Sequence, residues 1–252
     1  MDGKTISEMN TVLKLFLIPC LALLAAMPIL LPAQSPDADD GVDIATHMHE
    51  HLTRITEIKT QIISGNLPGV HEPAIWLAEH ESATGLPENF EPYVEQMRNY
   101  ARQVVAAGDL DSAAVAVSNM ARTCGNCHLV NGIRIAFGYD RTPSDWSDTR
   151  SHMRRHQWAA DRLWEGLIGP SDSAWGRGTD MLVDVPLSPI NVMDGTTATF
   201  DAAAIDEIAR SVHVLGGQGT NTGTPDARAD LYAELLGRCA QCHGMLESGP
   251  GN

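Results

Sequence analysis

The chain has 252 residues, and its 17 Lys and Arg against 32 Asp and Glu give a formal net charge of −15. An apolar content of 43% is enough for a packed core and excludes a globally disordered chain. The acidic balance argues against nucleic acid or an anionic membrane surface as the main partner. Five cysteines are too few for a disulfide-dense scaffold.

The chain begins with an apolar segment, since residues 15–33 carry no charge and a polar, acidic stretch follows them. Residues 1–33 are therefore predicted to be a secretory signal peptide or an uncleaved membrane anchor. The signal peptide is favoured because Pro19, Pro28 and Pro32 disfavour a straight membrane-spanning helix. Either interpretation predicts export, with the protein periplasmic and either soluble or tethered to the inner membrane.

The remainder of the chain contains an internal repeat. A His-Met-x-x-His motif at residues 47–51 recurs at 152–156, and a Cys-x-x-Cys-His motif at 124–128 recurs at 239–243. The two offsets are 105 and 115 residues, which requires an insertion in the second copy. Each copy has the length of a single domain.

Eight helices are predicted, four in each copy, with breaks at glycine and proline. Their ranges are 43–65, 70–82, 88–107, 110–128, 144–169, 171–184, 199–216 and 225–246. No segment shows sustained period-2 alternation, so no sheet is predicted. The predicted fold is all-α, with two tandem antiparallel four-helix bundles at 43–130 and 144–248. A linker near 129–143 joins them.

The Cys-x-x-Cys-His motif predicts a covalently attached haem. Its two thiols can each form a thioether with a haem vinyl group, and the adjacent His can then ligate the iron. Two motifs therefore predict two molecules of haem c. The attachment residues are Cys124, Cys127, Cys239 and Cys242, and the iron ligands are His128 and His243.

Three other uses of the cysteines are less consistent with the pattern. A thioredoxin-like dithiol needs a strand–helix context, which the chain lacks. A four-cysteine zinc site would require the pairs of two separate repeats to converge. Disulfides between cysteines three residues apart would close very small loops and contribute little.

A Cys-x-x-Cys-His motif near the end of a four-helix unit resembles the class II c-type cytochromes, the cytochrome c-prime type. The residues that match are the two cysteine pairs with His128 and His243, and the resemblance covers about residues 43–246. It implies that each bundle carries its haem on the last helix, with the sixth coordination position facing the first helix. The tandem arrangement departs from the usual single unit.

The first helix of each copy offers candidates for that sixth position. Met48 and Met153 are the preferred ligands, His51 and His156 are the alternatives, and an open position is the third choice. His47 and His152 lie further from the apolar face and are expected at the surface. Five arginines are candidates to pair with haem propionates: Arg54, Arg122, Arg154, Arg155 and Arg162.

The predicted function is single-electron transfer between redox partners, without enzymatic activity. The acidic chain would dock on a basic patch of its partner. The alternative is a gas-binding or gas-sensing haem protein with at least one five-coordinate iron, and a peroxidase-like dihaem enzyme is a third hypothesis. Membrane attachment through residues 15–33, homo-oligomerisation and membership of a larger electron-transfer complex are left open.

Overall fold

The computed structural model describes residues 44–83, 85–138, 141–144, 148–183 and 201–246, and within these ranges it contains helices and no strand. The predicted all-α class is therefore confirmed for the described residues. The signal peptide or anchor predicted at 1–33 lies outside these ranges. Among the described helices, none combines the length and apolar character that a membrane span requires.

The described residues form eight α-helices, four in each copy of the repeat. The helices of the first copy are α1 Ile44–Ile63, α2 His71–Glu79, α3 Glu91–Val105 and α4 Leu110–Val130. The helices of the second copy are α5 Thr149–Ile168, α6 Asp172–Leu182, α7 Ala202–Gly219 and α8 Pro225–Leu246. Every helix begins and ends within five residues of its predicted boundary.

Side-chain caps explain where several of these helices begin. The Asp109 carboxylate accepts a hydrogen bond from the Ser112 amide at the start of α4. Asp148 and Ser151 form a reciprocal capping box at the start of α5. Such caps satisfy amide groups that have no partner within the first turn of a helix.

The helices of each copy contact one another in chain order, and the last helix also contacts the first. The two copies contact each other as well, because α4 packs along α8, α1 contacts α8, and α4 contacts α5. Both copies contribute to one continuous apolar core, with Ile62 and Met120 from the first and Leu163 and Leu236 from the second. The two copies thus share one compact unit.

Two ion pairs join the copies within this unit. Lys59 of α1 is only 3% exposed and lies 2.5 Å from the Asp161 carboxylate of α5. Arg122 of α4 lies 2.8 Å from the Asp226 carboxylate at the start of α8. A buried ammonium group loses its hydration and needs such a partner, so Asp161 fixes the position of Lys59 between the copies.

Candidate functional site

The first Cys-x-x-Cys-His motif lies in the last turns of α4 and borders a cavity of about 500 Å³. Cys124, Cys127 and His128 line one side of this cavity, and Met48 and His51 of α1 line another. The volume falls in the range of small-molecule and cofactor sites. The structure therefore brings together the predicted attachment residues, the iron ligand and both candidates for the sixth position of the first copy.

The cavity is lined mainly by apolar side chains from all four helices of the first copy, including Leu77 of α2 and Met97 of α3. The segment after α4 contributes Arg134, and α5 of the second copy contributes Ile168. Arg134 was not among the predicted residues because it lies beyond the motif. It is a suitable partner for an anionic group at the edge of the cavity.

The histidines of the two motifs make reciprocal hydrogen bonds across the copies. His128 Nδ1 lies 2.7 Å from the carbonyl oxygen of Ile168, the last residue of α5. His243 Nδ1 lies 2.6 Å from the carbonyl oxygen of Ile63, the last residue of α1. Because a carbonyl oxygen can only accept, Nδ1 carries the proton and donates in both rings. Each Nε2 then presents its lone pair, as metal-ligating histidines do when a carbonyl fixes the other nitrogen.

The four motif thiols are reduced and buried to different degrees. Burial, followed by the effect of the neighbouring thiol, raises the pKa of Cys124 and of Cys239 to about 12. Burial also raises the pKa of Cys127 and of Cys242. A redox dithiol depends on a lowered thiol pKa, so this environment does not favour thioredoxin-like chemistry.

The cysteine pairs also do not form a common metal site. Among the described residues, the groups of three or more potential ligands that come together consist of histidines alone. A four-cysteine zinc centre would need all four sulfur atoms around one ion. The described geometry does not provide that arrangement.

In the second copy, Met153 is half-buried on α5. The Nε2 atom of His156 is buried and has no hydrogen-bond partner. Burial, reinforced by His152, His213 and His243, holds the pKa of His156 well below its usual value.

The expected surface location of His47 and His152 is wrong, since they are only 4% and 7% exposed. His47 stacks on His80, at the end of α2, with ring centroids 5.0 Å apart. His152 lies against His213 of α7 with ring centroids 5.7 Å apart. The helices beside α1 and α5 therefore cover a face that the apolar pattern alone assigns to solvent.

His80 and His213 were not among the predicted site residues. The sequence contains one indication of a histidine cluster, because the His-x-x-x-His spacing of residues 47 and 51 places both rings on one helix face. The third histidine could not be found from the repeat. It comes from the end of α2 in the first copy and from α7 in the second, so the two positions are not equivalent.

Carboxylate partners engage Arg54, Arg122 and Arg162, which were among the arginines proposed for propionate pairing. Arg54 pairs with Glu72 at 3.2 Å, and Arg162 pairs with Glu165 at 2.6 Å. Arg122 pairs with Asp226, as described above. These ion pairs make Arg134 the better candidate at the first site.

No protein-family model matches the chain, and no curated protein or solved structure is similar to it. Any functional assignment therefore depends on the residues described above.

Proposed function

We propose that the protein is a dihaem c-type cytochrome that carries single electrons between redox partners. The observation that carries this proposal is the reciprocal pair of hydrogen bonds that orient His128 and His243. In both motifs the ring directly after the second cysteine has its Nδ1 proton fixed on a carbonyl and its Nε2 lone pair free for a metal. A surface histidine, or a dithiol redox motif, would not require this arrangement.

The chain's residues suit a haem in the first copy. Cys124 and Cys127 provide the two thiols. The surrounding cavity is apolar and large enough to enclose most of a planar ligand, which keeps water away from it. Arg134 offers a cation for the propionates. A bound haem supplies an iron centre that gains and loses one electron. In the second copy, Cys239, Cys242 and His243 have the same roles.

Met48 and Met153 are the proposed sixth ligands. Met48 lines the same cavity as the motif and lies on the helix that the resemblance predicts. A thioether ligand raises the reduction potential of a haem, whereas a second histidine would keep it lower. An iron with both axial positions filled has no open site, which favours electron transfer over gas binding.

The architecture of this proposal is two tandem four-helix bundles related to the class II cytochromes. The contact of each last helix with the first helix of its own copy supports two bundles. The shared core makes them one body instead of two independent domains.

The proposed location is the periplasm, because covalent haem attachment and the apolar segment at residues 15–33 both fit export. The net charge of −15 favours a redox partner with a basic docking patch. Attachment through residues 15–33, a homo-oligomer and a larger electron-transfer complex are compatible with this function.

The first prediction concerns haem content. Full-length protein produced in a bacterium with a c-type cytochrome maturation system is expected to contain two haems per chain. The double variants C124A/C127A and C239A/C242A are each expected to contain one, because each removes both thiols of one motif. The mass of the mature chain and the pyridine haemochrome spectrum measure this directly.

The control is Cys20→Ala, which alters the only cysteine outside the two motifs and is expected to leave both haems in place. Wild-type protein that lacks covalent haem under these conditions would contradict the proposal.

The second prediction concerns the sixth ligand. Met48→Ala is expected to convert the first haem from low spin to high spin and to let the reduced protein bind carbon monoxide at that site. The reason is that alanine leaves the iron position open. Absorption and electron paramagnetic resonance spectra report the change, which should affect one haem of the two.

Met97→Leu is the matched control, because Met97 lines the same cavity from α3. It should leave the spin state unchanged. If Met48→Ala is silent and His51→Ala produces the change, His51 is the ligand instead. Rapid and stoichiometric carbon monoxide binding by the wild type would favour the gas-binding alternative.

A further inference from the structure

Each copy contains a cluster of three histidines that no part of the proposed electron transfer requires. The first cluster is His47, His51 and His80, and in it the potential ligand atoms all lie within 4.8 Å of one another. The second cluster is His152, His156 and His213, with ligand atoms equally close.

The first two histidines of each cluster occupy successive turns of one helix. The ring centroids of His47 and His51 are 4.3 Å apart, and those of His152 and His156 are 4.4 Å apart. A different neighbouring element completes each cluster, the end of α2 in the first copy and α7 in the second. The third histidine therefore comes from a non-equivalent element in each copy, yet both copies have the same arrangement of three imidazoles.

Packing alone does not explain these clusters. The Nε2 atoms of His51, His156 and His213 are buried and have no hydrogen-bond partner. A buried polar atom without a partner costs about 1–3 kcal/mol, and native proteins contain few of them. Other buried atoms, such as Trp158 Nε1 and Trp164 Nε1, also lack a partner, but every histidine nitrogen among the described residues that does so belongs to one of these clusters. Together with the close approach of the three rings in each cluster, this points to a missing ligand.

His213 is also oriented for metal binding. Its Nδ1 lies 2.7 Å from the carbonyl oxygen of Leu182 and donates to it, so the orphaned Nε2 presents its lone pair. Metal-ligating histidines commonly have their second nitrogen fixed on a carbonyl in this way.

We propose that each cluster binds one late first-row transition-metal ion, with zinc or copper as the class of ion. Three imidazoles form a common ligand set for such ions and leave a fourth position for water or another ligand. No carboxylate belongs to either cluster. Arg98 lies near the first cluster and Arg155 near the second, and both oppose a divalent charge. Glu50 lies near His47 and favours such a charge. The imidazole donors must therefore supply most of the affinity.

This inference assigns His51 and His156 to the ion sites and leaves Met48 and Met153 for the haem iron. The first ion site borders the cavity that contains Cys124, because His51 lines that cavity. The ion sites do not require haem, so the two proposals can fail independently.

The test uses zinc as the probe. The purified full-length protein is treated with a chelator, dialysed and titrated with zinc by calorimetry, and the bound metal is counted by mass spectrometry. Two zinc ions per chain are expected. His80→Ala and His213→Ala should each retain one ion, and the double variant should retain none, with zinc affinity at each altered site weakened by about 100-fold or more.

The control is His71→Ala. His71 is exposed and begins α2, the helix that ends next to His80 of the first cluster. It should retain both ions. Circular dichroism checks the fold of each variant, and His80→Gln replaces His80→Ala if the alanine variant loses helix. Haem is counted on the same samples by pyridine haemochrome, and its amount should not change.

Failure of the wild type to bind zinc, or full binding by the double variant, would overturn the proposal. If only one of the single variants loses an ion, the result supports an ion site in the cluster altered by that variant and overturns the ion site proposed for the other cluster. If the wild-type chain lacks haem after production with a c-type cytochrome maturation system but still binds zinc, the ion sites are supported and the cytochrome assignment is refuted.

Discussion

A single methyl group added at Gly125 is expected to lower the free energy of unfolding by about 3 kcal/mol, the upper part of the usual range for overpacked sites. A Cβ at this position would overlap the carbonyl oxygen of Leu167. That atom belongs to the backbone at the end of α5, so it cannot move aside as a flexible side chain could. The higher helix propensity of alanine recovers at most about 1 kcal/mol.

Gly125→Ala also has an expected spectroscopic effect. Displacement of the end of α5 moves the Ile168 carbonyl, which accepts from His128. If the protein binds the two haems proposed above, the spectrum of the first should therefore change more than that of the second. Urea unfolding followed by far-ultraviolet circular dichroism measures the stability, and absorption spectra measure the haem effect.

Gly217→Ala is the matched control for this prediction. Gly217 lies within α7, and a Cβ there meets open space. The substitution should raise the free energy of unfolding by up to about 1 kcal/mol, because alanine favours the helix. Equal stability of the two variants would contradict the described contact between α4 and α5.

Acidification from pH 7 to pH 5 is expected to destabilise the chelator-treated protein by about 2–4 kcal/mol. His51 and His156 have a pKa far below the ordinary 6.5, mainly because they are buried. They stay neutral in the folded chain but take up protons when it unfolds. The unfolded state then binds more protons, so the free energy of unfolding falls as pH drops below about 6.5.

The magnitude follows from linkage, since each group of this kind contributes up to about 1.4 kcal/mol per pH unit. Partial solvent contact of the rings reduces that figure. The window from pH 7 to pH 5 stays above the ordinary titration range of carboxyl groups, so the histidines dominate. Urea unfolding at pH 7, 6 and 5 measures the slope.

The variant H51Q/H156Q should show a flatter dependence, whereas H71Q should match the wild type. A pH-independent free energy of unfolding in the wild type would show that these rings are accessible to protons in the folded chain.

Much of the helical architecture could be predicted, because glycine and proline mark the helix ends. Gly169 and Pro170, for example, separate α5 from α6. The presence of Met48 and Cys124 in one cavity was expected from the resemblance to the class II c-type cytochromes, which implies a site between the first and last helices. These features depend on residues near one another in the sequence, or on a pattern that repeats.

The contacts between the copies could not be predicted. The acceptors for His128 and His243 are backbone carbonyls, which any residue provides, so no sequence signal marks Ile168 or Ile63. The burial of His47 depends on His80, which belongs to a different helix and to no motif. Features of this kind arise from tertiary packing and become visible only with the fold.

The reciprocal hydrogen bonds of His128 and His243 have the form of an isologous interface. Each half donates from its motif histidine to a backbone carbonyl of the other half. Two separate chains, each carrying one half, could form both hydrogen bonds only by associating as a symmetric dimer. The dimer would dissociate at low protein concentration. Joining the halves by a peptide segment replaces that association equilibrium with a fixed, millimolar-scale effective concentration. The orientation of both imidazoles thereby becomes independent of how much protein the cell makes.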